Sequence, residues 1–578
     1  MKTRNRREFL LGAGTTLGGM AAYPRLFGEA RTIRVTQTPI KEATQSDAVK
    51  TGLIVAPPRK AIRGLMVDAA RVPESMDYYR RVVEFCAEWE LNTLQFRLTD
   101  DQGSALRFSS VPHLLTHKNA FTPEQLKGLA DYAKSNGVDL IPELESFGHT
   151  GYITRSPAYA HLLDDNSQHS SGFTGIIPVS PETLQLFEKL YREVAAIFPS
   201  TYLHGGCDEV NWGGSTLSRK ALETRTRAQI WAEYLNSLNQ VAENLGKEWI
   251  VWGDFVLHKE PAILGRLNKR IIIMDWNYSE NSSAKIEDAF LKIRANGSRG
   301  IGAPALIHYR WGPRAGSEQL RNIDAYADAY LRTTNPGALG VILTNWVPSR
   351  YVQNSIWDGF AYASVAFNQG TEVAQTSGFR RFVERHYQAN WNDIWDEAFQ
   401  LIYDEAPQFG GHASSQRGGL RLSVPWSNDE QLKTLIRDGI TFANPFTRLR
   451  SLLVLLEPSV LRNVGDFHAF QVCVEYLERM FWRQAVVIEH AAKQPISRKT
   501  ADLLIQSISE RDQALLEGLT REWDKGRPAD SLAKSEPLFG FQLKDQLLFQ
   551  WSRATSYSAL LATHPYHFYQ LLINKGTK

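Results

Sequence analysis

The sequence predicts an α/β fold, a (β/α)8 TIM barrel followed by a C-terminal, mainly helical domain. Three observations lead there. Eight short runs of β-branched and aromatic residues alternate with helix-like segments between residues 62 and 346. No glycine-rich dinucleotide or phosphate loop follows the first run, which sets aside a doubly wound open sheet. Past residue 370 the alternation stops and long helical segments take over.

In chain order, the strand-like runs fall at 62–69, 92–98, 138–145, 200–206, 248–254, 270–276, 301–309 and 338–346. Helical segments lie at 75–89, 122–135, 182–197, 224–245, 284–296 and 317–333. The segment at 122–135 carries its own start signals: Thr122 as N-cap, Pro123 in the first helical position and Gln125 three residues on. The C-terminal helices are expected at 429–441, 446–456, 468–491 and 498–522. The resulting divisions are a signal at 1–30, a linker at 31–60, the barrel at 61–370 and the helical domain at 371–578.

Residues 1–30 join a basic start containing Arg6-Arg7 to Phe9-Leu10-Leu11 and a mildly apolar stretch. That segment resembles a twin-arginine export signal, so the expected location is periplasmic or extracellular. No later stretch approaches the ~18 uninterrupted apolar residues of a membrane span, and no membrane partner is expected for the mature chain. The five basic and two acidic side chains of residues 1–30 account for the whole formal charge of +3. The remainder is near neutral and lacks the basic footprint of a nucleic-acid binder. Cys86, Cys207 and Cys473 are odd in number and far apart, so no disulfide framework is expected. The sequence names no oligomeric state.

Reactive side chains of a barrel stand at the C-terminal ends of its strands. Those ends offer Asp68 and Arg71, Asp100 and Asp101, Glu143 and Glu145 with His149 beyond, and Asp208-Glu209. The later strands offer Trp252 with Asp254, Asp275 with Trp276, His308 with Tyr309 and Trp311, and Asn345 with Trp346. Carboxylates among tryptophans suit work on sugars: the rings cover the apolar face of a pyranose, and the acids serve the glycosidic oxygen and the developing positive charge. A metal-dependent hydrolase would need clustered His and carboxylate ligands. The His-x-His that many such barrels carry after the first strand is absent, and neither a metal nor a cofactor is expected.

The stretches "RGLMVDAAR", "NTLQFRLTDDQG", "IPELESFGH" and "YLHGGCDEV" occur in that order. Together they resemble the signatures of glycoside hydrolase family 20, the β-N-acetylhexosaminidases, over about residues 60–370. The strongest element runs from His204 to Val210 and matches H-x-G-G-D-E-V, with Cys207 in place of the second glycine. The stretch "GVILTNWVPSR" is similar to a divergent, hexosaminidase D-like branch that lacks the small α/β domain usually preceding the barrel.

The resemblance implies an exo-acting, retaining enzyme for terminal β-linked GlcNAc or GalNAc, in which the substrate's own acetamido oxygen attacks the anomeric carbon. Asp208 would orient that group and stabilise its positive charge, and Glu209 would be the general acid and then the general base. Glu209 is expected to stay protonated near neutral pH, its pKa raised by partial burial and by the neighbouring carboxylate. Arg71 would clamp the outer sugar hydroxyls, and Asp100 with His149 would tune Glu209 from behind. Trp252, Trp276 and Trp346 would wall the sugar pocket, and Tyr309 would bond the acetamido oxygen. The acetamido end of this pattern is kept and the far end is rebuilt. Val347-Pro348 stands where an acid is usual, and Trp311 where an aspartate is. Two other readings stay open: a sugar-binding barrel without turnover, and a glycosidase of different sugar specificity.

Overall fold

Eight strands pair in parallel with their neighbours: Ile62–Asp68 (β1), Thr93–Arg97 (β2), Asp139–Glu143 (β3), Tyr202–His204 (β4), Glu248–Trp252 (β5), Ile272–Asp275 (β6), Arg299–Gly302 (β7) and Ala338–Asn345 (β8). β8 also pairs with β1, Ile62 opposite Gly340 and Leu65 opposite Leu343, and this last ladder closes the barrel. The computed structural model describes residues 61–164, 174–307, 314–332, 336–405, 429–491 and 498–527. The expectations placed on residues 1–60, on Tyr309 and Trp311, and on 528–578 lie outside the described residues.

The helices around the barrel form for local reasons. Met76–Glu88 (α1) starts at Ser75, whose hydroxyl accepts the Tyr78 N–H, and buries Tyr78, Tyr79, Val82, Val83, Phe85 and Cys86 on one face. Pro123–Ser135 (α2) carries the full capping box of Thr122 and Gln125. Pro181–Ile197 (α3), Arg227–Asn244 (α4), Ser283–Ala295 (α5), Ser317–Leu331 (α6) and Trp357–Gln369 (α7) follow.

Between β5 and β6, where the sequence reading placed no helix, stand a π-helical turn, Asp254–Lys259, and a 3-10 segment, Pro261–Arg266. Two places depart from the sequence reading. The seventh strand is broken into Arg299–Gly302 and Ala305–Ile307, because Pro304 has no N–H to give a ladder. Its carbonyl still accepts the Thr344 N–H at 2.8 Å. In the C-terminal region, the helices expected on either side of Pro445 are one helix, Asp429–Leu456. Phe446, Leu449, Leu452, Leu453 and Leu456 are buried there, as are Phe467, Phe470, Val474 and Leu477 of the next helix, Val464–Ala491. That packing outweighs the local cost of proline.

Among the described residues after β8 there are only helices and connections. One apolar cluster runs from Val82 and Phe85 through Trp357 and Phe360 to Phe382, Trp395 and Phe467, so barrel helices and C-terminal helices share a core. No helix among the described residues is long and apolar enough to cross a membrane. The three cysteines are free and buried.

Candidate active site

Past His204, the end of β4, the chain turns through left-handed backbone: φ is +65° at Gly206, +74° at Cys207 and +46° at Glu209. A Cβ at Gly206 would lie 2.1 Å from the Glu145 carboxylate, so only glycine fits. On a continuing strand, Asp208 and Glu209 would face opposite sides. Here the turn brings both to His149 Nε2, Asp208 Oδ2 at 3.9 Å and Glu209 Oε2 at 3.4 Å. Cys207 keeps a side chain where the family pattern has glycine. Its thiol is buried and donates to the Gly205 carbonyl at 3.2 Å.

His149, itself at φ +48°, joins the pair to the strand-2 acids. Its Nδ1 lies 3.4 Å from Asp100 Oδ2 and 3.6 Å from Asp101 Oδ2. Burial opposes a charge on this imidazole. Asp100 and Asp208, with Asp101 and Glu209, outweigh that opposition and hold its pKa well above the usual histidine value. Asp100 is buried too, which pushes its carboxyl up. Arg71, His149 and Arg97 overcome the push and bring it down to about 2.

The folded pKa of Asp100 thus lies below its unfolded value. Its stabilising contribution is complete above pH ~4 and is lost as pH falls toward 2, an effect of about 2 kcal/mol. Urea unfolding of wild type and Asp100→Asn checks this: the stability difference between them is expected to shrink between pH 4 and pH 2.

Arg71 donates from Nη1 to Asp68 Oδ2 at 2.8 Å, and its Nη2 lies 3.0 Å from Asp100 Oδ2. Its guanidinium carbon sits 5.4 Å from the Trp346 ring. Arg97, which the sequence reading passed over, is the hub beneath. It is fully buried, pairs with Glu143, reaches Glu145 Oε1 at 2.7 Å and Asp100 Oδ2 at 2.7 Å, and lies 5.0 Å under the Trp346 ring. The available signal was an arginine ending an otherwise uncharged strand run, TLQFR.

Glu145 is equally buried. Burial, Asp208 and Glu143 push its carboxyl well above the usual range against Arg97 and His149, and its Oε2 accepts the Cys207 N–H at 3.0 Å. Glu145 therefore braces the loop that carries the reactive pair while paired with Arg97 beneath it.

The aromatic residues divide. Trp346 donates from Nε1 to the Tyr278 hydroxyl at 2.9 Å. Trp276, half-buried, stacks on Tyr278 at 5.0 Å. Trp252 is only 1% exposed: its Nε1 donates to Glu143 at 3.0 Å, and its ring lies 4.5 Å from His204 and 5.7 Å from Trp346. Tyr278 was not anticipated; its position two residues past Trp276 on the β6 end was the usable signal. Tyr309 lies outside the described residues.

Glu209 corrects an expectation. Its side chain is 32% exposed, open to an incoming ligand. Burial raises its pKa as foreseen, but the hydrogen bond and charge of His149, followed by Lys259 and Arg71, hold the carboxyl below the usual value. These surroundings favour the ionised carboxyl at neutral pH, against the expectation that it stays protonated.

Among the described residues two trios have metal-like spacing, Asp100 with Asp101 and His149, and His149 with Asp208 and Glu209, each with ligand atoms within 4.8 Å of one another. Arg71 and Arg97 already balance the charge of Asp100, and His149 is engaged by carboxylates on both ring nitrogens. We assign no metal to either.

Residues 61–309 match the profile described as "Glycosyl hydrolase family 20, catalytic domain". A "Beta-hexosaminidase" of Vibrio furnissii is 28% identical over 251 residues, covering 38% of this chain and 40% of that protein. A "Beta-hexosaminidase" of Akkermansia muciniphila is 30% identical over 241 residues, covering 38% of this chain and 47% of that protein. The chain spans less than half the length of these two relatives.

Proposed function

From the match of residues 61–309 to the glycoside hydrolase family 20 catalytic domain we propose that the protein is a member of that family and an exo-acting β-N-acetylhexosaminidase. Its substrate would be a glycan with a terminal β-linked GlcNAc or GalNAc, hydrolysed with retention. The observation that carries this reading is the convergence of Asp208 and Glu209 on His149 at the mouth of the closed barrel, beside Trp346, Trp276 and Tyr278.

In this reading the acetamido oxygen attacks the anomeric carbon and forms a cyclic oxazolinium-type intermediate. Asp208 accepts the acetamido N–H, holds the group in line and offsets the positive charge that grows on it. Glu209 gives a proton to the leaving oxygen and later takes one from water. It must therefore be protonated when the sugar is bound. A ligand that covers the exposed third of Glu209 strips water from the ionised form and raises its proton affinity. The charged His149, 3.4 Å away, is the nearest proton source.

Release of 4-nitrophenol from 4-nitrophenyl N-acetyl-β-glucosaminide tests the proposal. Turnover is expected there, with the β-anomer as first product by NMR, and none with 4-nitrophenyl β-glucoside, which has no acetamido arm. Comparable rates on both substrates would rule out substrate assistance. We further propose that residues 1–30 direct export by the twin-arginine route. Replacing Arg6 and Arg7 by lysine is expected to leave the protein in the cytoplasmic fraction, read by immunoblot.

A further inference from the structure

Glu209 occupies left-handed backbone, at φ +46°, which costs a non-glycine residue about 1–2 kcal/mol and persists only where neighbours hold it. The neighbour is the π-helical turn that stands in place of a barrel helix. Asp254, its first residue and nearly fully buried, accepts the Glu209 N–H on Oδ2 at 3.2 Å. Lys259, its last residue, donates from Nζ to the same oxygen at 2.8 Å. The lysine Nζ lies 4.3 Å from the Phe255 ring centroid, and Phe255 packs on Trp231 of α4 at 4.3 Å, so the turn has a rigid base. Single π turns concentrate at functional sites because they present side chains that an α-helical turn would separate.

We propose that Asp254 and Lys259 form a positioning pair for Glu209, fixing its backbone so that its carboxylate faces His149 and the sugar. The pair acts through Glu209 and need not touch substrate, and the inference rests on the acid–base role proposed for that residue. Among the described residues, the charged and titratable groups facing Glu209 are His149, Arg71 and Lys259 on the cationic side, Asp208 and Asp254 on the anionic side, and the Tyr278 hydroxyl. His258 of the same turn faces away, toward Asp275 at 3.4 Å. Lys259 also keeps Asp254 usable as an anchor. Burial, together with the charge of Asp208, lifts the Asp254 carboxyl to about 6 even with the ammonium present.

The test compares Lys259→Met, Lys259→Arg and Asp254→Asn with wild type on 4-nitrophenyl N-acetyl-β-glucosaminide across pH. Lys259→Met is expected to lower kcat about tenfold or more with KM within about twofold, because it misplaces a group that acts in the transition state. The limb of the pH profile that reports Glu209 is expected to move upward, since a cation that lowers its pKa is gone. Lys259→Arg restores both, and Asp254→Asn lowers kcat. An unchanged kcat and profile in Lys259→Met overturns the proposal, as does a loss of kcat with an unmoved profile that arginine does not rescue. Should wild type not turn over this substrate, the acid–base reading itself fails and the positioning claim is judged on crystal structures. Glu209 leaving the left-handed region in Lys259→Met upholds the pair; Glu209 still at positive φ beside His149 overturns it.

Discussion

Asp208→Asn is expected to lower kcat/KM on 4-nitrophenyl N-acetyl-β-glucosaminide by at least about 10²-fold, the scale of losing one preorganised electrostatic contact to a transition state. The variant keeps an oxygen for the acetamido N–H and removes the charge, so ground-state binding changes little. The effect on stability is divided, because the Asp208 charge helps to hold the buried cations of His149 and Arg97. The same charge works against burial of its acidic neighbours, helping to push Glu145 and Asp254 up, and removing it relieves both. Urea unfolding of the variant separates rate from stability: a fall in rate with the unfolding midpoint kept is a fall in chemistry.

Glu209→Gln separates the second role. On the nitrophenyl glycoside, whose leaving group needs little protonation, kcat/KM reports a step that tolerates loss of the acid. On an unactivated disaccharide the loss is expected to reach about 10²–10⁴-fold, the range of general acid catalysis. Asp208→Asn is expected to lose comparably on both substrates, because its charge answers the oxazolinium and not the leaving oxygen. If Glu209→Gln lost equally on both while Asp208→Asn discriminated, the roles assigned to the two carboxylates would be reversed.

The β-branched runs revealed the barrel because a parallel strand covered on both faces leaves a continuous apolar stretch. α2 was legible to the residue, since Thr122 and Gln125 cap it through contacts three residues apart. Asp208, Glu209, Asp100, His149, Arg71 and Trp346 could be gathered from the strand-end rule and the motifs they sit in. What escaped depends on three-dimensional sums. The proton affinity of Glu209 was judged from its neighbour in sequence, Asp208, while the groups that decide it, His149, Lys259 and Arg71, arrive from three other loops. Arg97 looked like one charge at a strand end, and only closure of the barrel brings Asp100, Glu143 and Glu145 around it. The π turn carried no periodicity to read. Pro445 signalled a helix end correctly by local rules, and a shared apolar interface overrode it.

Arg527→Met is expected to destabilise the protein by about 3–5 kcal/mol, the cost of stranding a buried charge by removing its partner. The guanidinium lies at the end of the last described helix, Arg498–Gly526, and is almost fully buried. Its Nη2 donates to Glu74 Oε1 at 3.0 Å, to the Pro348 carbonyl at 2.5 Å and to the Tyr351 carbonyl at 3.3 Å, and its Nε to Glu74 Oε2 at 3.1 Å. Glu74 cannot compensate alone: burial already raises its carboxyl above the usual range despite the arginine. The loops involved are those of the site, Glu74 following Arg71 and Pro348 following Trp346, and the Ser75 N–H donates to the Gly526 carbonyl at 2.7 Å beside them. The helical region thus holds up the wall that carries Arg71 and Trp346, and KM is expected to rise along with the loss of stability. Urea unfolding and steady-state kinetics measure the two. The double variant Glu74→Met with Arg527→Met is expected to recover much of the stability, because the stranded carboxyl is gone, but not the KM, because the Pro348 and Tyr351 carbonyls still lack the guanidinium that ties them to the helix end. An Arg527→Met protein within about 1 kcal/mol of wild type would contradict this account, and would make the C-terminal helices a separable neighbour of the barrel instead of part of its site.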